Sequence, residues 1–135
     1  MVGRPLTPDF RAAPQIGPGD LAAAAAEGCV LVINNRPDGE EPGQPTGAEI
    51  EAAARAAGLA YAAVPVRGMP PSPDQAAAFG AALAGADGPV LAYCRSGTRS
   101  AACWAMAVTA AGDLEPDEAR ALARAAGWDL SYLPL

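Results

Sequence analysis

Short apolar runs alternate with longer alanine-rich stretches along the whole of this chain of 135 residues. The short runs are rich in Val, Leu and Ile, which is typical of buried strands. The longer stretches open on capping residues and close on glycine, which is typical of helices. The pattern predicts strands at 10–16, 29–34, 59–66 and 89–93, and helices at 17–27, 46–57, from 72 onward, 99–111 and 115–127. This alternation predicts an α/β fold whose central, mostly parallel sheet is flanked by helices.

Three of the predicted strands run directly into loops that contain arginine. Arg36 follows strand 29–34, Arg67 follows strand 59–66, and Arg95 and Arg99 follow strand 89–93. Because parallel strands bring their carboxyl ends to one edge of a sheet, we expect these loops to share that edge. The length fits one hydrophobic core and shows no linker, so residues 1–135 are predicted to form a single domain.

Charge and residue types argue against several classes of function. The formal charge is −6 and no histidine is present, so we expect no nucleic-acid partner and no histidine-dependent nucleophile. The three cysteines lack metal-ligand or disulfide spacing, so we expect no metal, no cofactor and a reducing, cytoplasmic environment. No apolar run reaches the length of a membrane span and no leader pattern opens the chain, so we expect no membrane partner.

The segment from Pro89 to Ser100 carries the clearest chemical signal, because its cysteine, Cys94, lies where an apolar strand turns into a helix. The free N–H groups and the positive dipole end of that helix stabilise an anion. Arg95 and Arg99 add positive charge, which favours a thiolate nucleophile. The arrangement predicts cysteine-based catalysis on an anionic or sulfur-containing substrate.

This cysteine loop resembles the active-site loops of the tyrosine-phosphatase and rhodanese families. Together with the segments 34–40 and 64–66 and with Trp104, it resembles the phosphatase-like domain of beta-lactamase-hydrolase-like proteins over residues 10–130. The resemblance implies a tyrosine-phosphatase-like fold with Cys94 as the nucleophile, Arg99 as the oxyanion-binding arginine and Ser100 as a hydroxyl beside the thiolate. It also implies an anion cradle formed by the backbone N–H groups of Arg95, Ser96, Gly97, Thr98 and Arg99.

The loop differs from the tyrosine-phosphatase signature, which has histidine before the nucleophile and five residues between cysteine and arginine. Here Tyr93 precedes Cys94, and only four residues separate Cys94 from Arg99. Removing one residue tightens the ring of N–H donors around a phosphoryl group, and the shorter loop resembles that of rhodanese-type sulfurtransferases. We therefore expect sulfur transfer through a Cys94 persulfide. The alternative is a phosphatase with a phosphocysteine intermediate, and a third possibility is a non-catalytic anion-binding or redox-sensing module.

The roles of the surrounding charged residues stay open at this point. Arg36 and Arg67 are candidates for substrate binding, although Arg36 would equally pair with Glu40 or Glu41. Asp38 is a possible acid, although a solvated turn explains it about as well. The expected partner is a small-molecule sulfur donor or a phosphate-containing substrate. The resemblance also implies a fused or separate oxidoreductase or persulfide dioxygenase.

Overall fold

The structure, a computed structural model, describes residues 1–135. It contains five strands and five helices, in the order β1 (Arg4–Thr7), β2 (Phe10–Ala13), α1 (Pro18–Ala26), β3 (Leu31–Asn34), α2 (Gly47–Ala56), β4 (Ala60–Ala63), α3 (Pro73–Gly85), β5 (Val90–Tyr93), α4 (Thr98–Ala110) and α5 (Pro116–Ala126). None of the helices is both long enough and apolar enough to cross a membrane.

The strands form one sheet in the order β1-β2-β5-β3-β4. The pairs β2–β5, β5–β3 and β3–β4 are parallel, and only the edge strand β1 is antiparallel to its neighbour. Strand β5 therefore lies in the interior of the sheet, and Cys94 follows at its carboxyl end. The predicted α/β fold with a central, mostly parallel sheet and flanking helices is confirmed.

Both faces of the sheet are buried, because side chains of successive strand residues point to opposite sides. In β5, Val90 and Ala92 join a core of 22 buried residues to which α3, α4 and α5 contribute. Leu91 and Tyr93 point to the other face and join a core of 11 buried residues beneath α1 and α2. Helices on both faces explain why β3 and β5 read as apolar runs rather than alternating ones.

Some predicted boundaries were wrong at the edges of the sheet. The predicted strand 59–66 is shortened to Ala60–Ala63, although the N–H groups of Val64 and Val66 still donate to the carbonyls of Asn34, the last residue of β3, and of Asn35 after it. Pro65 lies between them with its nitrogen toward the open edge of the sheet, where a missing N–H leaves the hydrogen bonds to β3 intact. Strand β1 was not predicted, because Leu6 is its only buried residue and a proline precedes it.

Candidate active site

Cys94 lies at the point where β5 ends and the loop to α4 begins. Its Sγ accepts a hydrogen bond from the backbone N–H of Gly97 at 3.1 Å. Gly97 is the N-cap of α4 and has a φ of 92°, a left-handed conformation that glycine adopts without strain. The sulfur therefore lies at the N-terminus of α4, where the helix dipole favours a negative charge. The cysteine is fully buried, whereas Arg95 and Ser96 beside it are exposed.

The loop and the first turn of α4 supply a set of unused hydrogen-bond donors. The backbone N–H groups of residues 95, 96, 98, 99 and 100 donate to no acceptor within the protein. Residues 98–100 form the first turn of α4, so their N–H groups point out of the helix end at which Sγ lies. This arrangement is suited to bind the oxygens of a tetrahedral anion in front of the sulfur.

Arg99 is held by two acceptors on one side of its guanidinium. Nη1 and Nη2 donate to the two carboxylate oxygens of Glu40, both at 2.8 Å, and Nη1 also donates to the carbonyl of Val66 at 2.6 Å. The hydrogen bonds that Arg99 donates to Glu40 raise the pKa of Arg99, and Cys94 contributes in the same direction. The Nε–H and the second Nη2–H form the remaining bidentate edge of the fork, which is the edge available to a substrate oxyanion.

Glu40 joins two arginines, since its Oε1 also accepts from Arg36 Nε at 3.0 Å. The two hydrogen bonds from Arg99, and then the one from Arg36, hold the pKa of Glu40 at about 2 against the opposing effect of its partial burial. Arg36 is almost fully buried and also donates to Gln15 and Glu41. The structure thus shows Arg36 in the pairing arrangement, with Glu40 and Glu41 as its acidic partners.

Ser100 is fully buried and donates its hydroxyl proton to Asn35 Oδ1 at 2.8 Å. Asn35, also fully buried, in turn donates to the carbonyl of Val64 at 2.8 Å. The hydroxyl that the family resemblance places beside the thiolate therefore donates instead to a side chain that ties β3 to α4. Sequence reasoning assigned Asn35 no role of its own, although a polar residue directly after a buried strand was an available signal.

The other predicted residues lie around the same edge of the sheet and differ in their side-chain contacts and exposure. Arg95 reaches Glu41 at 3.7 Å, and the hydroxyls of Ser96 and Thr98 lie 3.1 Å apart. Arg67 is exposed and makes no ion pair. Asp38 is exposed, and its Oδ1 accepts from the backbone N–H of Gly47 at 2.8 Å, so its carboxylate braces the start of α2.

Comparisons with known proteins identify the family of this chain. The family described as the phosphatase-like domain of beta-lactamase hydrolase-like protein matches residues 3–112. A beta-lactamase hydrolase-like protein of Xylella fastidiosa is 45% identical over 106 residues, which cover 78% of this chain and 25% of the relative. The chain thus spans about a quarter of the length of the curated relatives it matches.

Solved structures show the same fold. A candidate phosphatase from Neisseria meningitidis superposes with a TM-score of 0.84 at 33% identity, covering 98% of this chain and 93% of the other. The protein Tk-PTP superposes with a TM-score of 0.73 at 18% identity, covering 92% of this chain and 83% of the other, a likeness of fold alone. The fold is tyrosine-phosphatase-like, and the chain belongs to the family of beta-lactamase hydrolase-like phosphatase-like domains.

Proposed function

We propose that this domain is a cysteine-dependent phosphatase that hydrolyses phosphate monoesters through a phosphocysteine intermediate on Cys94. The observation that carries the proposal is the set of five unused N–H groups on residues 95, 96 and 98–100, together with the open edge of Arg99, around one buried thiol. The family match and the similarity to a candidate phosphatase support this function rather than the sulfur transfer expected from loop length.

The chemistry takes two displacements at phosphorus. In the first, the Cys94 thiolate attacks, the sulfur–phosphorus bond forms and the bond to the leaving oxygen breaks. In the second, water attacks the phosphocysteine, the sulfur–phosphorus bond breaks and inorganic phosphate leaves with the thiolate restored. The N–H groups and Arg99 stabilise the charge on the three equatorial oxygens during both steps.

The leaving oxygen must gain a proton, and the carboxylate that contacts Arg99 is a poor donor. Glu40 has a pKa of about 2 because Arg99 and Arg36 hydrogen-bond its ionised form, so it carries no proton near neutral pH. Asp38, the possible acid in the sequence, already accepts from the Gly47 N–H. We therefore expect the enzyme to prefer aryl phosphates, whose leaving groups need little protonation, over alkyl phosphates.

The proposal is tested by phosphate release from an aryl phosphate and from an alkyl phosphate, with intact-mass analysis of the enzyme during turnover. We expect release from the aryl ester, a transient adduct of one phosphoryl group, and loss of both in Cys94→Ser. Arg99→Lys keeps the charge but loses the fork, so kcat/KM should fall by roughly a hundredfold or more. Arg55→Lys is the matched control on an exposed arginine of α2 and should change kcat/KM by no more than a few-fold.

A parallel incubation with thiosulfate separates the two enzyme hypotheses. An adduct of one sulfur atom on Cys94, removed by reduction, with no release of phosphate from the aryl ester, would overturn the proposal in favour of sulfur transfer. Binding of phosphate without turnover of either substrate would instead favour a non-catalytic anion-binding module.

A further inference from the structure

The C-terminal segment after α5 reaches back to the cysteine loop. Trp128 follows Gly127, which ends α5 with a φ of 109°, and the Trp128 backbone N–H closes the helix end by donating to Ala123 at 2.9 Å. Its buried indole then donates from Nε1 to the carbonyl of Ser96 at 3.2 Å. Trp128 lies beyond residues 3–112, the part of the chain that the family match covers.

The indole also packs directly on Gly97. A Cβ added to Gly97 would lie 2.5 Å from Cζ2 of Trp128 and 2.9 Å from its Cε2. The ring therefore occupies the space that any other residue at position 97 would need for its side chain. Arg4 contacts the indole of Trp128 in turn. Its guanidinium carbon lies 6.0 Å from the ring centroid, and its Nη1 donates to the carbonyl of Ala126 at 3.2 Å.

These contacts meet on one peptide unit. The carbonyl of Ser96 and the N–H of Gly97 belong to the same planar trans peptide, in which the two groups point in opposite directions. The indole N–H of Trp128 donates to the carbonyl of this peptide, and the N–H of the same peptide donates to Cys94 Sγ at 3.1 Å. The Ser96 carbonyl has no other donor within the protein. Rotation of this peptide would turn the carbonyl oxygen toward the sulfur and disfavour a thiolate.

We propose that Trp128 is a positioning residue for the cysteine loop: its indole N–H fixes the Ser96–Gly97 peptide so that the Gly97 N–H points at Cys94 Sγ. The inference rests on the proposed role of Cys94 as a nucleophile. It assigns the segment after α5 a part in setting the reactivity of that nucleophile, in addition to its part in the core.

The experiment is the pH profile of alkylation of Cys94 by iodoacetamide, which requires no phosphatase turnover. Trp128→Phe keeps an aromatic ring on Gly97 and removes the N–H. We expect the pH midpoint of alkylation to rise by about one unit, so that the rate at any pH well below both midpoints falls roughly tenfold. Trp104→Phe makes the same change at a buried indole that stacks on Phe10, and should leave the midpoint in place. An unchanged midpoint in Trp128→Phe, or an equal rise in Trp104→Phe, would overturn the inference.

A second measurement on the unaltered protein decides the matter if Trp128→Phe does not fold. The indole N–H resonance of Trp128 should move with the same pH midpoint as Cys94 alkylation, because a thiolate on one end of the peptide strengthens the hydrogen bond on the other. The shift should vanish in Cys94→Ser. A Trp128 resonance that stays fixed through that range refutes the inference. If alkylation responds to Trp128 but no ester is hydrolysed, the proposed function fails while this inference stands.

Discussion

Replacing Glu40 with glutamine tests whether the carboxylate positions Arg99 or competes with the substrate for it. Glu40 accepts three hydrogen bonds from guanidinium groups, two from Arg99 and one from Arg36. A glutamine oxygen in place of Oε1 keeps the bonds from Arg36 Nε and Arg99 Nη2. The glutamine NH₂ then faces the Nη1–H of Arg99, so that one bond between charged groups is replaced by two opposed donors.

The expected loss of stability is about 2 kcal/mol at neutral pH, the value of one hydrogen bond between charged groups. The pair is worth this much because the Arg36 and Arg99 side chains are only 1% and 13% exposed. Glu51→Gln is the matched control, since the Glu51–Arg55 pair is 42% and 60% exposed and should contribute less than about 0.5 kcal/mol. Activity should fall with stability, by roughly tenfold in kcat/KM, because Arg99 loses the contacts that aim its free edge.

The difference in unfolding free energy between wild type and Glu40→Gln depends on pH in a direction set by the pKa of Glu40. The pKa of Glu40 falls from 4.5 to about 2 on folding, chiefly through hydrogen bonds from Arg99, so the contribution of Glu40 to stability is complete above pH 4.5. It is lost as the pH falls from 4.5 through 2 and the carboxylate is protonated. Urea denaturation should thus give a constant difference between wild type and Glu40→Gln at neutral pH and a shrinking one below pH 4.5. A difference that persists to the acid end, or a rise in kcat/KM, would refute the positioning role.

Three further outcomes follow from the same site. Asn35→Ala leaves the Ser100 hydroxyl without its buried acceptor, so it should cost about 3 kcal/mol in the free energy of unfolding, and a double-mutant cycle with Ser100→Ala should show coupling of about 1 kcal/mol. Cys94 should be alkylated faster than Cys103 at neutral pH, because burial raises the pKa of Cys103 to about 12, and equal rates by peptide mapping would contradict this. Inorganic phosphate should protect Cys94 from alkylation in wild type and fail to do so in Arg99→Lys, as measured by the residual thiol.

The parts of the fold and site that the sequence predicted depend on neighbours in the chain. The strand before Cys94, the glycine that turns the loop and the helix after it lie within a single segment, and local periodicity and capping rules apply there directly. The shared edge of the arginine loops also followed from one general rule about parallel sheets. Pairing of Arg36 with Glu40 and Glu41 was one of two alternatives, and it is the one the structure shows.

The contacts that escaped prediction join residues far apart in sequence. Ser100 meets Asn35 across 65 positions, Arg99 meets Glu40 across 59, and Trp128 meets Ser96 across 32. No local pattern marks such pairs, because each depends on which element the sheet and helices bring alongside. The partners of Ser100 and Trp128 are therefore visible only once α4 and α5 have packed.

Counting the residues between Cys94 and Arg99 was a poor guide to the number of N–H donors around the sulfur. Four intervening residues led us to expect a ring too tight for a phosphoryl group, on the assumption that only residues 95–99 supply donors. In the structure α4 begins at Thr98, so its first turn adds the N–H of Ser100 to the donors around the sulfur. The N–H of Gly97 is not among the free donors, because it donates to Cys94 Sγ. Five donors remain free despite the missing residue, because the helix end makes up for the shorter loop. Loop length therefore does not separate sulfur transfer from phosphoryl transfer in this chain, which belongs to a phosphatase-like family.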